Sequence, residues 1–149
     1  MSDLLRAART AALALPVALL AACSGDGAPA VVEADGTYLL LAAPSDGAME
    51  ARAVGTLTRG EDGCLYLDAD EQHTLLVWPA GTTLDHDETA VTVPDGAPLQ
   101  PWATTTLVIG SDVEVGGGGV DVPADSPTSV VPEVPDACDT ADVFLVGRP

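Results

Sequence analysis

The chain of 149 residues has no lysine, no asparagine and a single phenylalanine. Five arginines stand against 23 acids, for a formal charge of −18. A surface this acidic repels phosphate, which excludes nucleic acid and anionic lipid head groups as primary partners. No apolar run reaches the ~20 residues that a spanning helix needs. Beyond the N-terminal region no window shows sustained helical periodicity with caps. CxxC pairs, EF-hand loops, phosphate loops and nucleophile elbows are also missing, so no motif calls for a cofactor. Aromatics are 3% and the 47% hydrophobic fraction is inflated by alanine, which leaves enough apolar surface for one modest core and a single domain.

What is present begins at the N-terminus. Arg6 and Arg9 form a short basic region, and Ala11–Ala22 is an apolar stretch of 12 residues interrupted by Pro16. That length suits the apolar centre of a secretory signal, and the proline weakens a stable spanning helix. The stretch ends Leu20-Ala21-Ala22-Cys23. Aliphatic, small, small, cysteine resembles the lipobox of bacterial lipoproteins. The resemblance implies that the Cys23 thiol receives a diacylglyceryl group and that residues 1–22 are removed. Small residues let an extended backbone enter a peptidase cleft, and the thiolate is the strong nucleophile that alkylation requires. The other reading is a signal cut by the ordinary peptidase, with Cys23 incidental. A lipidated chain would sit on the extracytoplasmic face of the cell membrane, held by its acyl chains. It would then carry 22 acids and three arginines, a charge of −19. Residues 23–36 read as the lipidated cysteine and a flexible tether, since Ser24–Ala30 is small, polar and broken by glycine and proline.

Cys64 and Cys138 remain, an even number in an exported chain. An oxidising compartment makes a disulfide the expectation, closing a loop of about 75 residues. A metal or redox pair is the alternative, though no histidine lies close in sequence to either cysteine.

From residue 37 on, short β-like runs follow one another: 37–42, 52–58, 64–68, 74–78, 90–93, 104–110 and 142–146. In 64–68, Leu65 and Leu67 share one face and Cys64, Tyr66 and Asp68 the other. Residues 74–78 are apolar at four successive positions, as in a strand covered on both faces. Turn chemistry separates the runs at 59–63, at 68–72, at Pro79-Ala80-Gly81, where proline suits the first central position, and at Pro94-Asp95-Gly96. The first three runs look like an antiparallel meander. Residues 120–137 hold four prolines and read as a long surface loop. The expected architecture is all-β: a small, partly open barrel of oligonucleotide-binding-like topology over residues 37–149, with a β-sandwich as second choice.

A second resemblance spans roughly residues 55–146. Gly55-Thr56-Leu57, Asp62-Gly63-Cys64-Leu65, Leu75–Thr82, Gly116–Gly119, Cys138 and Phe144–Val146 follow an order that looks like small secreted domains and lipoproteins of high-GC Gram-positive bacteria. It implies no particular activity. The lack of lysine and asparagine fits a GC-rich genome, and the acidity also fits salt adaptation.

Several residues could carry chemistry. His73 and His86 are the only histidines, so a Ser/His/Asp arrangement would need one of them. Solvated loop or strand positions are the simpler reading. Asp68-Ala69-Asp70-Glu71 and Asp85-His86-Asp87-Glu88 are clustered oxygen donors that could contribute to a weak calcium site, with Asp68, Asp70, Asp85 and Asp87 as the candidate ligands, although acidic turns are usually just solvated. Gly116–Gly119 could cradle an anion through backbone N–H groups, but with no cation near it reads as a flexible turn. Trp78 ends a buried-looking run and belongs in the core. Trp102, between Pro101 and polar residues, is the better candidate for an exposed aromatic that contacts a ligand. Taken together these features predict a lipid-anchored, extracytoplasmic, non-catalytic binding or envelope-interaction module, its partner an envelope protein or glycan. A calcium-binding accessory protein is the alternative.

Overall fold

The computed structural model describes residues 27–44, 50–95, 103–121 and 130–147. Ten strands run through them: β1 (Ala30–Ala34), β2 (Thr37–Leu41), β3 (Ala51–Arg59), β4 (Leu65–Ala69), β5 (Gln72–Trp78), β6 (Thr83–Leu84), β7 (Ala90–Pro94), β8 (Thr104–Val108), β9 (Asp112–Gly119) and β10 (Val143–Val146). No helix occurs among the described residues.

Strands β3, β4, β5, β10 and β9 close into a ring, because β4 pairs with β5 while β3 pairs with β9. The β5–β10 pair is parallel and the other four pairs of the ring are antiparallel. This is the all-β barrel with oligonucleotide-binding-like connectivity expected from the sequence, and its ring is closed rather than partly open. Closure removes the free edges that an open five-stranded sheet would present. The hairpin β1–β2 is added outside the ring through parallel pairing of β2 with β5. A separate three-stranded sheet, β6-β7-β8, forms within the β5–β9 connection.

Two apolar clusters lie on opposite sides of the barrel wall. Leu57, Leu65, Leu67, Leu76, Trp78, Val113, Val115, Phe144 and Val146 come from all five strands and fill the interior, where Val91 and Val93 of β7 join them. Cys64, Tyr66, Leu75, Val77, Val143 and Leu145 form the second cluster with Leu40, on the outside. Period-two alternation explains both, since Leu76 and Trp78 point in while Leu75 and Val77 point out. The outer cluster is sealed by Val131 and Cys138 from the proline-rich connection. The described part of that loop lies at the surface, with Glu133, Asp136 and Ala137 exposed, and packs over the outer cluster through Val131.

Four expectations need correction. The segment 23–36 is not tether throughout, because Ala30–Ala34 pairs with β2 across a two-residue turn. Asp35 (φ 45°) and Gly36 (φ 85°) both take the left-handed region, as a tight Asp-Gly hairpin turn requires. The meander is β3-β4-β5, because β2 pairs with β1 and β5 and not with β3. Pro79 is the first residue of its turn rather than a central one, since its carbonyl accepts from Thr82 N–H and Gly81 takes the positive φ. Finally, Gly116–Gly119 is strand, not flexible turn, and pairs with both β3 and β10. A Cβ on Gly117 would lie 2.0 Å from the Leu145 carbonyl oxygen and 2.6 Å from the Phe144 ring. Close approach of two backbones, not mobility, is what requires glycine there.

Candidate functional site

The densest polar cluster is built on the β3–β4–β5 meander and its turns. The Asp62 carboxylate accepts the Cys64 N–H at 2.9 Å through one oxygen and the Tyr66 hydroxyl through the other. The same Tyr66 oxygen accepts the Asp139 N–H at 2.8 Å. Tyr66 is fully buried, and burial together with the Asp62 carboxylate pushes its phenol pKa far above the usual value. It acts as a neutral clasp between the 59–63 turn and the segment around Cys138.

Beside the clasp, Cys64 and Cys138 form the expected disulfide, with Cα atoms 5.8 Å apart and both residues buried. It joins the start of β4 to the proline-rich connection 74 residues away.

His73 stacks on Tyr66 with ring centroids 3.8 Å apart, and its Nδ1 contacts one oxygen of Asp68. The other oxygen of Asp68 accepts the Thr58 hydroxyl at 2.8 Å. Burial works to raise the Asp68 pKa, but the His73 and Thr58 hydrogen bonds and the His73 charge outweigh it, so the carboxyl lies below its ordinary range. Hydroxyl and imidazole both lean on the carboxylate. Thr58 does not donate to His73, so the order nucleophile–imidazole–carboxylate is not assembled here. His86 lies exposed in the loop between β6 and β7.

That loop is organised by Asp85. Its carboxylate accepts Thr89 N–H at 2.6 Å, Ala90 N–H at 2.9 Å and the Thr89 hydroxyl at 2.8 Å. The Ala90 and Thr89 donors lower its pKa. Glu88, at φ 54°, turns inward and shares one oxygen between Arg59 Nη1 and the Thr37 hydroxyl, each at 2.7 Å. Sequence reading took Glu88 as one of the clustered oxygen donors and did not foresee its pairing with Arg59 and Thr37. The pairing spans 29 and 51 positions, and no local pattern encodes it.

Of the four aspartates considered for calcium, Asp68 and Asp85 are committed to protein donors, while Asp70, at φ 52°, occupies the exposed β4–β5 turn. Asp87 is exposed in the 85–89 loop. Among the described residues no three His, Cys, Asp or Glu side chains converge on a possible ion position. Cys23 and Trp102 lie outside the described residues. Trp78 is fully buried in the barrel, and its indole N–H has no partner among the described residues. A small cleft of about 40 Å³ opens between β7–β8, the middle of β9 and the end of β10, with Val93, Leu107, Val115 and Val146 in its lining. It has room for one or two water molecules.

No family model, no curated protein and no solved structure matches this chain.

Proposed function

We propose that the chain is a lipid-anchored, extracytoplasmic protein whose disulfide-stapled β-barrel serves as a non-catalytic binding or envelope-interaction module. The observation that carries this reading is Leu20-Ala21-Ala22-Cys23, placed after a basic start and a 12-residue apolar stretch. The buried Cys64–Cys138 bridge supports export, because such a bond persists in an oxidising compartment. Cys23 and the first residue of β1, Ala30, are seven positions apart, so the chain between them reaches at most ~25 Å. The domain would therefore stand close to the membrane that holds it. The carboxylates of the described polar clusters brace loops, and no nucleophile–imidazole–carboxylate order is assembled among the described residues. The calcium reading gains no support from Asp68, Asp70, Asp85 and Asp87, which do not converge.

Cys23→Ser tests the anchor. The wild type is expected in the membrane fraction, with an acyl adduct on a mature N-terminal cysteine by mass spectrometry, and the variant in the soluble fraction. An intact Met1 with no adduct, or unchanged partitioning, overturns the proposal.

A further inference from the structure

The closed barrel removes the edges of its own strands, yet among the described residues the hairpin added outside it leaves one open. β1 stands at the end of the seven-stranded order, with β2 as its only neighbour among the described residues. Natural edges are usually blunted by charged side chains, above all lysine, by proline, by a bulge or by a covering loop, and Glu33 is the one charge on β1. β1 reads Ala-Val-Val-Glu-Ala and has no lysine and no internal proline. Its pairing with β2 runs without a bulge through all five residues. Four of those five residues are exposed, so the strand adds little to either core. Val31 (37% exposed) and Val32 (45%) sit next to each other, and successive strand residues point to opposite faces. The edge therefore offers one β-branched side chain above and one below the sheet. A single docking face does not use both. A further strand does, because its side chains become cross-strand neighbours on each face.

We propose that the free edge of β1 accepts an added strand from an extended, basic segment of a partner polypeptide. Charge selects the occupant. Glu33 is exposed on the edge, Asp35 follows it, and the whole chain carries −18. A basic residue opposite Glu33 forms a favourable cross-strand pair, whereas an acidic strand meets repulsion at short and long range. A second copy is self-complementary only in part. Antiparallel pairing about Val32 sets Glu33 against Val31, but it also brings two polyanions together. The inference rests on the reading of the chain as a binding module and does not depend on the anchor.

The test uses the full chain and the capped peptide Arg-Thr-Val-Lys-Val-Thr-Arg, with a control in which each basic residue is replaced by glutamate. Titration is followed by amide hydrogen exchange of the protein. The basic peptide is expected to bind at least about tenfold more tightly than the acidic one. Binding should slow exchange at alternate amides of β1, those that point away from β2. Glu33→Lys, at an exposed position, should leave thermal stability unchanged and narrow the preference for the basic peptide, because the local carboxylate is gone while the long-range charge of the chain remains. No binding at millimolar peptide, protection confined to other strands, or equal binding of both peptides overturns the proposal. So does concentration-dependent dimerisation that protects the same amides without peptide, since the occupant is then a second copy. None of these outcomes bears on Cys23, whose membrane partitioning is read separately.

Discussion

Adjacent glycines in β9 separate two causes for the same residue type. Gly117 faces backbone, with a Cβ at that position meeting the Leu145 carbonyl oxygen at 2.0 Å, whereas a Cβ at Gly116 meets nothing described within 4 Å. Gly117→Ala must push β9 from β10 and is expected to cost roughly 3 kcal/mol or more, since overpacking and lost pairing add. Gly116→Ala is expected to raise stability by about 0.5–1 kcal/mol, because a strand glycine loses more chain entropy on folding than alanine. Denaturant titration of both variants checks the pair, and similar effects of the two would contradict the packing described here. Asp68 supplies a pH dependence at the same scale. Its folded-state pKa lies below the ordinary 3.8. Its contribution is therefore present above pH 3.8 and is lost as pH falls through the lower folded value. Thermal melts between pH 2 and pH 6 should show a shallower acid limb for Asp68→Asn than for the wild type.

Among elements, the strands visible in the sequence are those with two buried faces or clear turn chemistry. Leu75–Trp78 is apolar without interruption because the barrel interior and the outer cluster claim alternate residues. Leu65 and Leu67 separate from Cys64 and Tyr66 for the same reason. Three elements were hidden, one of them the two-residue β6. β1 has no buried face, so composition reads it as tether, although Asp35-Gly36 between two β-branched or aliphatic runs is a hairpin signal. β9 ends in four glycines, whose strand conformation is imposed by β3 and β10 rather than by local preference. Of the polar clusters, Asp68–His73 lies within one hairpin and is local, whereas Glu88–Arg59–Thr37 depends on the closed fold. The disulfide was legible from the parity of Cys64 and Cys138 together with the expectation of export, but not what it holds down. Because the Cys138 segment covers the outer cluster, Cys64→Ser is expected to cost roughly 4 kcal/mol under oxidising conditions, the chain-entropy value for a loop this long. With reductant present, wild type and variant should melt together. A wild type that shows two free thiols under oxidising conditions would remove the staple from the account.

For the whole molecule, the balance of charge matters more than any single pair. Two ion pairs between arginine and carboxylate are found among the described residues, Arg52–Glu114 and Arg59–Glu88, beside the His73–Asp68 contact. Arg52–Glu114 is exposed on both sides and contributes little. With 23 acids in the chain, most carboxylates have no cation to meet, and their mutual repulsion works against the compact state. Salt therefore removes more repulsion than attraction. Shortening the Debye length from about 30 Å at 0.01 M to about 3 Å at 1 M is expected to raise the melting temperature by roughly 4 °C or more, equivalent to about 1 kcal/mol. Ionic strength set by sodium chloride or by sodium sulfate distinguishes the cause. Screening predicts nearly equal gains at equal ionic strength, whereas exclusion from the protein surface favours sulfate alone. The same screening should weaken the basic peptide at β1 while it strengthens the barrel. Opposite slopes of affinity and stability against salt are thus the signature of a polyanion whose charge serves recognition at the expense of folding.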